Sequence, residues 1–139
     1  MESKFQQTMN TLPEVQTFHL EGVKHISAME AYGYLVQQKA VLIDVREKEE
    51  FEVEQVALPG FINIPMPSII DRLGQLPDDQ LIIVMDTEGE RGTKVANLLN
   101  RQGYNDVANL DGGLVQWKAE GLPVEDILPD ACGDCCGCG

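Results

Sequence analysis

The sequence predicts an α/β domain: a five-stranded parallel sheet flanked by helices on both faces. Two near-continuous apolar runs, Val41-Leu42-Ile43-Asp44-Val45 and Leu81-Ile82-Ile83-Val84-Met85, suit strands buried on both sides. Strand candidates alternate with helix-period segments along the chain, the pattern that builds parallel sheets. All of this falls within one chain of 139 residues, enough for a single core.

Residues 1–16 are polar with weak periodicity and read as a flexible lead-in. Val23-Lys24-His25-Ile26 is a short strand. Ser27 with Glu30 three residues on fits a capping box. The helix behind it runs to about residue 38, with Met29, Tyr32, Leu35 and Val36 expected on its buried face. The 41–45 run is the next strand, and Phe61-Ile62-Asn63-Ile64, after Pro59-Gly60, another. Residues 68–76 read as a short helix. The 81–85 strand ends in a glycine-bearing loop, and a helix over 91–102 offers Val95, Ala96, Leu98 and Leu99 to the core. Gly103 suits its C-terminal cap. Val107-Ala108-Asn109-Leu110 is the last strand. Asp111-Gly112-Gly113 turns the chain into a final helix over 114–120, whose Trp117 packs in the core. The domain is thus 17–124, and 125–139 is a flexible Gly- and Cys-rich tail.

Charge narrows the function. The net charge is −13 and the sequence pI about 4.3. Such a chain repels phosphate backbones and anionic lipid, so neither nucleic acid nor a membrane is an expected partner. No apolar run approaches the ~20 residues that span a bilayer. The first residues lack the apolar stretch of a secretory signal, and the expected location is the cytoplasm. All four cysteines, Cys132, Cys135, Cys136 and Cys138, lie in the tail, so the domain has no thiol of its own.

In a parallel α/β sheet, ligands bind beyond the carboxyl ends of the strands. Asp86, Thr87, Glu88, Gly89, Glu90 and Arg91 stand at such a point. Inward N–H groups and the helix start favour an anion there, and Arg91 adds a planar charged fork. Alone, this is equally the pattern of an ordinary strand–helix turn.

Four features together go further. Asp44-Val45-Arg46-Glu47 leads to Glu50-Phe51, then Pro59-Gly60-Phe61-Ile62-Asn63-Ile64-Pro65. The 86–91 loop follows, and then Leu110-Asp111-Gly112-Gly113-Leu114-Val115-Gln116-Trp117 runs on to Gly121-Leu122-Pro123-Val124. In this order and spacing the chain resembles the rhodanese-like domain, single-domain sulfurtransferases among them. The resemblance implies the five-stranded fold and an active loop Cys-x-x-Gly-x-Arg followed by Ser. There the cysteine accepts sulfane sulfur from a donor such as thiosulfate and passes the persulfide sulfur to a thiol or cyanide. Gly89 and Arg91 match that loop, Asp86 stands at the cysteine position and Gly92 at the serine position. Asp44 and Arg46 match positions that brace the loop. Val56-Ala57-Leu58-Pro59-Gly60 replaces the family's Gly-His-Ile-Pro-Gly, and the 52–55 stretch before it is longer than the common spacing.

A carboxylate cannot carry a persulfide, and Glu88 and Glu90 repel anions at the mouth. Two readings of Asp86 stand: its carboxylate is the anion in its own cradle, with a pKa lowered by loop N–H groups, or it points outward from a simple turn. His19 and His25 match no ligand pattern and read as a surface and a strand histidine. Cys132, Cys135, Cys136 and Cys138 could bind Zn²⁺ or Cu(I), carry a persulfide, or form a reduced tail with no fixed partner. The leading expectation is a rhodanese-like binding or regulatory module, inactive by the loop route, in sulfur or metal handling. Its partner would be a protein or a sulfur-carrier thiol. The alternatives are a sulfurtransferase using the tail cysteines and a thiolate metal-binding protein.

Overall fold

The computed structural model describes residues 9–59 and 61–126. In chain order the elements are β1 (His25–Ile26), α1 (Ala28–Val36), β2 (Ala40–Asp44), α2 (Lys48–Val53), β3 (Glu54–Val56) and β4 (Phe61–Asn63). Two 3-10 turns follow, Met66–Ser68 and Ile70–Gln75, then β5 (Leu81–Met85), α3 (Glu90–Arg101), β6 (Val107–Leu110), α4 (Gly113–Ala119) and β7 (Val124–Asp126). The main sheet has five parallel strands in the order β1-β6-β5-β2-β4. The predicted fold class is the one observed.

The two apolar runs sit side by side at the centre. β2 pairs with β5 from Ala40↔Leu81 to Asp44↔Met85. Side chains alternate across a strand, so each run feeds both faces. Leu81, Ile83 and Met85 face one layer with Ala31, Leu35 and Trp117; Ile82 and Val84 face the other with Ile43, Val95 and Leu99. Tyr32 of α1 meets Trp117 of α4 edge-on, ring centroids 6.1 Å apart, and the Trp117 Nε1–H donates to the Pro123 carbonyl at 2.8 Å.

Several expectations are corrected. α1 buries Ala28, Ala31 and Leu35, with Tyr32 packed partly against the core, while Met29 and Val36 are exposed. Positions 28, 31, 32 and 35 follow the i, i+3, i+4, i+7 spacing of one helix face, and 29 and 36 fall beside it. The 68–76 segment forms 3-10 turns, broken at Arg72. Pro65 and Pro67 precede it and Gly74 lies within it, leaving too few good formers for α-helix. Leu98 lies at the margin of its layer, and Val95, Ala96 and Leu99 carry the burial. Sequence reading passed over α2, which is mostly charged and buries no residue fully, and the small antiparallel pair of β3 with β7. The long 52–55 stretch is thus the end of α2 and the start of this ribbon.

The lead-in is packed over the part described. Met9 is buried, and Asn10 exchanges two backbone hydrogen bonds with His25, extending the β1 edge. The Asp111 carboxylate accepts from the backbone N–H groups of Glu14, Val15 and Gln16 at 2.7–3.3 Å.

Candidate functional site

The 86–91 loop leaves the central strand β5 and enters α3. Gly89, the residue before α3, has φ +108°, a left-handed conformation open to glycine at no steric cost. The chain curls there, and the Gly89 and Arg91 amides turn back onto Asp86.

Asp86 points inward and is buried. Its Oδ1 accepts from the Gly89 N–H at 2.5 Å and its Oδ2 from the Arg91 N–H at 2.8 Å. The Arg91 Nε lies 3.6 Å from Oδ2. The outward reading is therefore set aside, and the donors that would hold an exogenous anion hold this carboxylate. The expected lowering of its pKa is not found. Burial pushes the Asp86 carboxyl up, and the amides of Arg91 and Gly89 and the Arg91 charge only partly oppose it.

Arg91 is also committed. Its Nη1 donates to Glu50 Oε1 at 2.8 Å, and its Nη2 to Glu50 Oε2 at 3.1 Å and to Thr87 Oγ1 at 3.2 Å. The fork fits the carboxylate edge to edge, the strong geometry for this pair. Arg91 holds the Glu50 carboxyl at about 2, against a small cost of burial. Glu50 further accepts from the Glu47 N–H, fixing the first turn of α2. Glu88 and Glu90 are exposed at the mouth.

Asp44 and Arg46 pair with each other, Arg46 Nη2 to Asp44 Oδ2 at 2.8 Å, both side chains nearly fully buried. The same Nη2 donates to the Glu54 carbonyl at 2.6 Å, and Asn63 donates to the carbonyls of both residues. They brace β3 and β4 beside the loop and make no hydrogen bond to residues 86–91.

Behind the loop lies a set of residues that sequence reading missed. Gln16 Nε2 donates to the Phe18 carbonyl (2.8 Å), the Gly89 carbonyl (3.3 Å) and Thr93 Oγ1 (2.9 Å), and its Oε1 accepts from the Gly112 N–H at 2.9 Å. Asn109 Nδ2 donates to Gln16 Oε1 at 2.9 Å and faces His25 Nδ1 at 3.2 Å, while His25 Nε2 lies 2.9 Å from His19 Nδ1. His25 lies on β1, as the sequence predicts, and is buried in this contact. A single glutamine in a polar lead-in gives no signal of such a role. Gly113 (φ +62°) passes so close that a Cβ would lie 2.5 Å from the Thr87 carbonyl oxygen. The tail cysteines lie outside the described residues, and among the described residues no group of His, Cys, Asp and Glu is arranged to hold a metal.

A sequence model of the Rhodanese-like domain matches residues 27–120. The chain belongs to the rhodanese-like family. A sulfurtransferase of Allochromatium vinosum is 31% identical over 87 residues, covering 63% of this chain and 79% of that protein. An HTH-type transcriptional regulator of Mycobacterium tuberculosis is 33% identical over 104 residues, covering 69% of this chain but only 42% of the regulator. Among solved structures, a rhodanese-related protein from Thermoplasma volcanium superposes with a TM-score of 0.65 at 27% identity, over 73% of this chain and 96% of its own. No helix among the described residues is long and apolar enough to cross a membrane.

Proposed function

We propose that this rhodanese-like domain does not transfer sulfur through its 86–91 loop and acts as a binding or regulatory module in sulfur or metal handling. Its partner would be a protein or a sulfur-carrier thiol. One observation carries the reading: the Asp86 carboxylate occupies the Gly89 and Arg91 amides. By the family resemblance Asp86 stands where active relatives place the nucleophilic cysteine. Thiosulfate is a dianion, and it would have to displace one carboxylate from those amides and a second, Glu50, from Arg91. The relative named as a transcriptional regulator extends well beyond the matched part, as a domain used for binding within a larger protein would.

The test is a thiosulfate–cyanide assay on the full chain and on a chain ending at Asp130. Neither should turn over. Turnover that survives truncation would overturn the reading, since no thiol then remains.

Turnover lost on truncation would instead establish a second reading, with a tail cysteine as persulfide carrier. The register of the small ribbon favours it. β7 ends with Asp126 opposite Glu54. Glu54 is bonded to Arg46 through its carbonyl and to Lys118 of α4 through its carboxylate. α2, which immediately precedes Glu54, and α4 both touch the loop, through Glu50 and through the Val115 N–H on the Thr87 carbonyl. Asp126, the last described residue, therefore stands on the loop's side of the domain.

A further inference from the structure

The line of side chains behind the loop has a definite direction. Gln16 can be placed only one way: its Nε2 faces two carbonyl oxygens, of Phe18 and Gly89, and its Oε1 faces the Gly112 N–H. Asn109 must then present Nδ2 to Gln16 Oε1. That same Nδ2 faces His25 Nδ1, which therefore carries a lone pair. The His25 proton sits on Nε2 and is donated to His19 Nδ1. Asn109 Oδ1 is left buried with no donor.

We propose that the His19–His25 pair is an acid-sensitive latch on the loop: uptake of one proton turns the Asn109 amide and releases Gln16 from the Gly112 turn. Wherever the proton lands, the demand is the same. On His25, it puts N–H on Nδ1. On His19, it makes Nδ1 a donor toward His25 Nε2, which pushes the His25 proton to its own Nδ1. Either way a donor faces Asn109 Nδ2. The amide relieves this by turning, and its orphan Oδ1 becomes the acceptor. The turned oxygen then opposes Gln16 Oε1, and Gln16 cannot turn in response without setting its own oxygen against two carbonyls. The vacated Oδ1 position lies near Asp86: a Cβ on Gly92 would be 2.3 Å from Asn109 Oδ1 and 3.4 Å from Asp86 Oδ1.

The titratable groups acting on His25 are His19, in the segment between the lead-in and β1, and Asp111, which follows β6. Burial first, then His19, hold His25 down at about 4, against the pull of Asp111. With both rings neutral the latch is closed. Its regulatory meaning rests on the binding role proposed above. The latch itself is measured with no partner present, so the two stand or fall separately.

The experiment is an NMR titration of the ¹⁵N-labelled full chain from pH 7 downward. It follows the ring nitrogens of His19 and His25, the Asn109 side-chain amide, and the Gly89 and Gly112 backbone amides. At neutral pH His25 should show the Nε2–H tautomer. On acidification the Asn109 and Gly112 signals should move with the midpoint of the pair, and Gly112 amide exchange should rise about tenfold relative to other protected amides as its local hydrogen bond opens. The Gln16→Ala variant should keep the Asn109 response and lose that of Gly112. The opposite tautomer, a titrating pair with Asn109 unmoved, a Gly112 response that persists in Gln16→Ala, or unfolding before either ring protonates would each overturn the latch.

Discussion

Glu50 of α2 and Arg91 of the loop meet edge to edge, at 2.8 and 3.1 Å. This one contact ties the charged helix to the start of α3 and removes the loop's guanidinium from service as an anion receptor. It also fixes a pH window. The Glu50 carboxyl is lowered to about 2, so its contribution is present above the ordinary glutamate range, near 4.5, and is lost as pH falls through 2. Carboxyl carbon chemical shifts should place the Glu50 midpoint near 2. Glu50→Gln should cost no more than about 1 kcal/mol, because the pair is partly exposed, and a midpoint in the ordinary range would show the contact is not held in solution.

Asp86 behaves in the opposite sense. Its pKa is raised by burial, so its contribution is fully present below the unfolded carboxylate range and is lost as pH rises through the folded pKa. The measured Asp86 midpoint should lie above that of an exposed aspartate. Asp86→Ala should leave the buried Gly89 amide and the half-buried Arg91 amide without their acceptor and cost on the order of 1–3 kcal/mol in chemical denaturation. A midpoint below the usual value would mean that the N–H groups outweigh burial.

Asp86→Cys tests the loop's remaining equipment. With Cys132, Cys135, Cys136 and Cys138 replaced by serine, the variant should gain one sulfur atom by mass on treatment with thiosulfate. The substitution frees the Gly89 and Arg91 backbone amides for the persulfide. Failure to become persulfidated under any donor would show that Asp86 alone does not separate this loop from an active one.

His25 gives a stability trend. Its folded pKa, about 4, lies below its ordinary value of 6.5. The unfolded chain therefore binds the proton more readily between these values. Stability should be full above pH 6.5 and should fall by on the order of a few kcal/mol as pH drops to 4. Denaturant midpoints across that range, compared with those of His25→Gln, isolate the effect; a variant with the same slope would assign it elsewhere.

Gly113→Ala should be among the most damaging single changes near the site. A Cβ there meets the carbonyls of Asp86 and Thr87 at a positive φ, so the loop must move. A loss of about 2–4 kcal/mol is expected, with amide shifts concentrated at residues 86–91.

The fold was legible because its centre is built of two strands buried on both faces, where an apolar run such as 81–85 has no competing reading. Gly89 and Arg91 were legible through the family resemblance, since alone they make the pattern of an ordinary strand–helix turn. α2 was not, because a helix with no fully buried residue leaves no hydrophobic period. Nor was Gln16, whose role depends on groups more than seventy positions away that the sheet brings to it. The sequence leaves the direction of Asp86 open between two readings, and the lowered pKa expected of the inward one is overturned because burial outweighs the loop N–H groups.

Gly92 lies where a side chain would strike Asn109 Oδ1, and Asn109 is held by Gln16 and His25. A hydroxyl-bearing residue at 92 is therefore admitted only after position 109 has shrunk or shifted. The order of steps is constrained: 109 first, then 92. Position 109 thus acts as gatekeeper for position 92: what Asn109 is replaced by decides which side chain can stand beside Asp86.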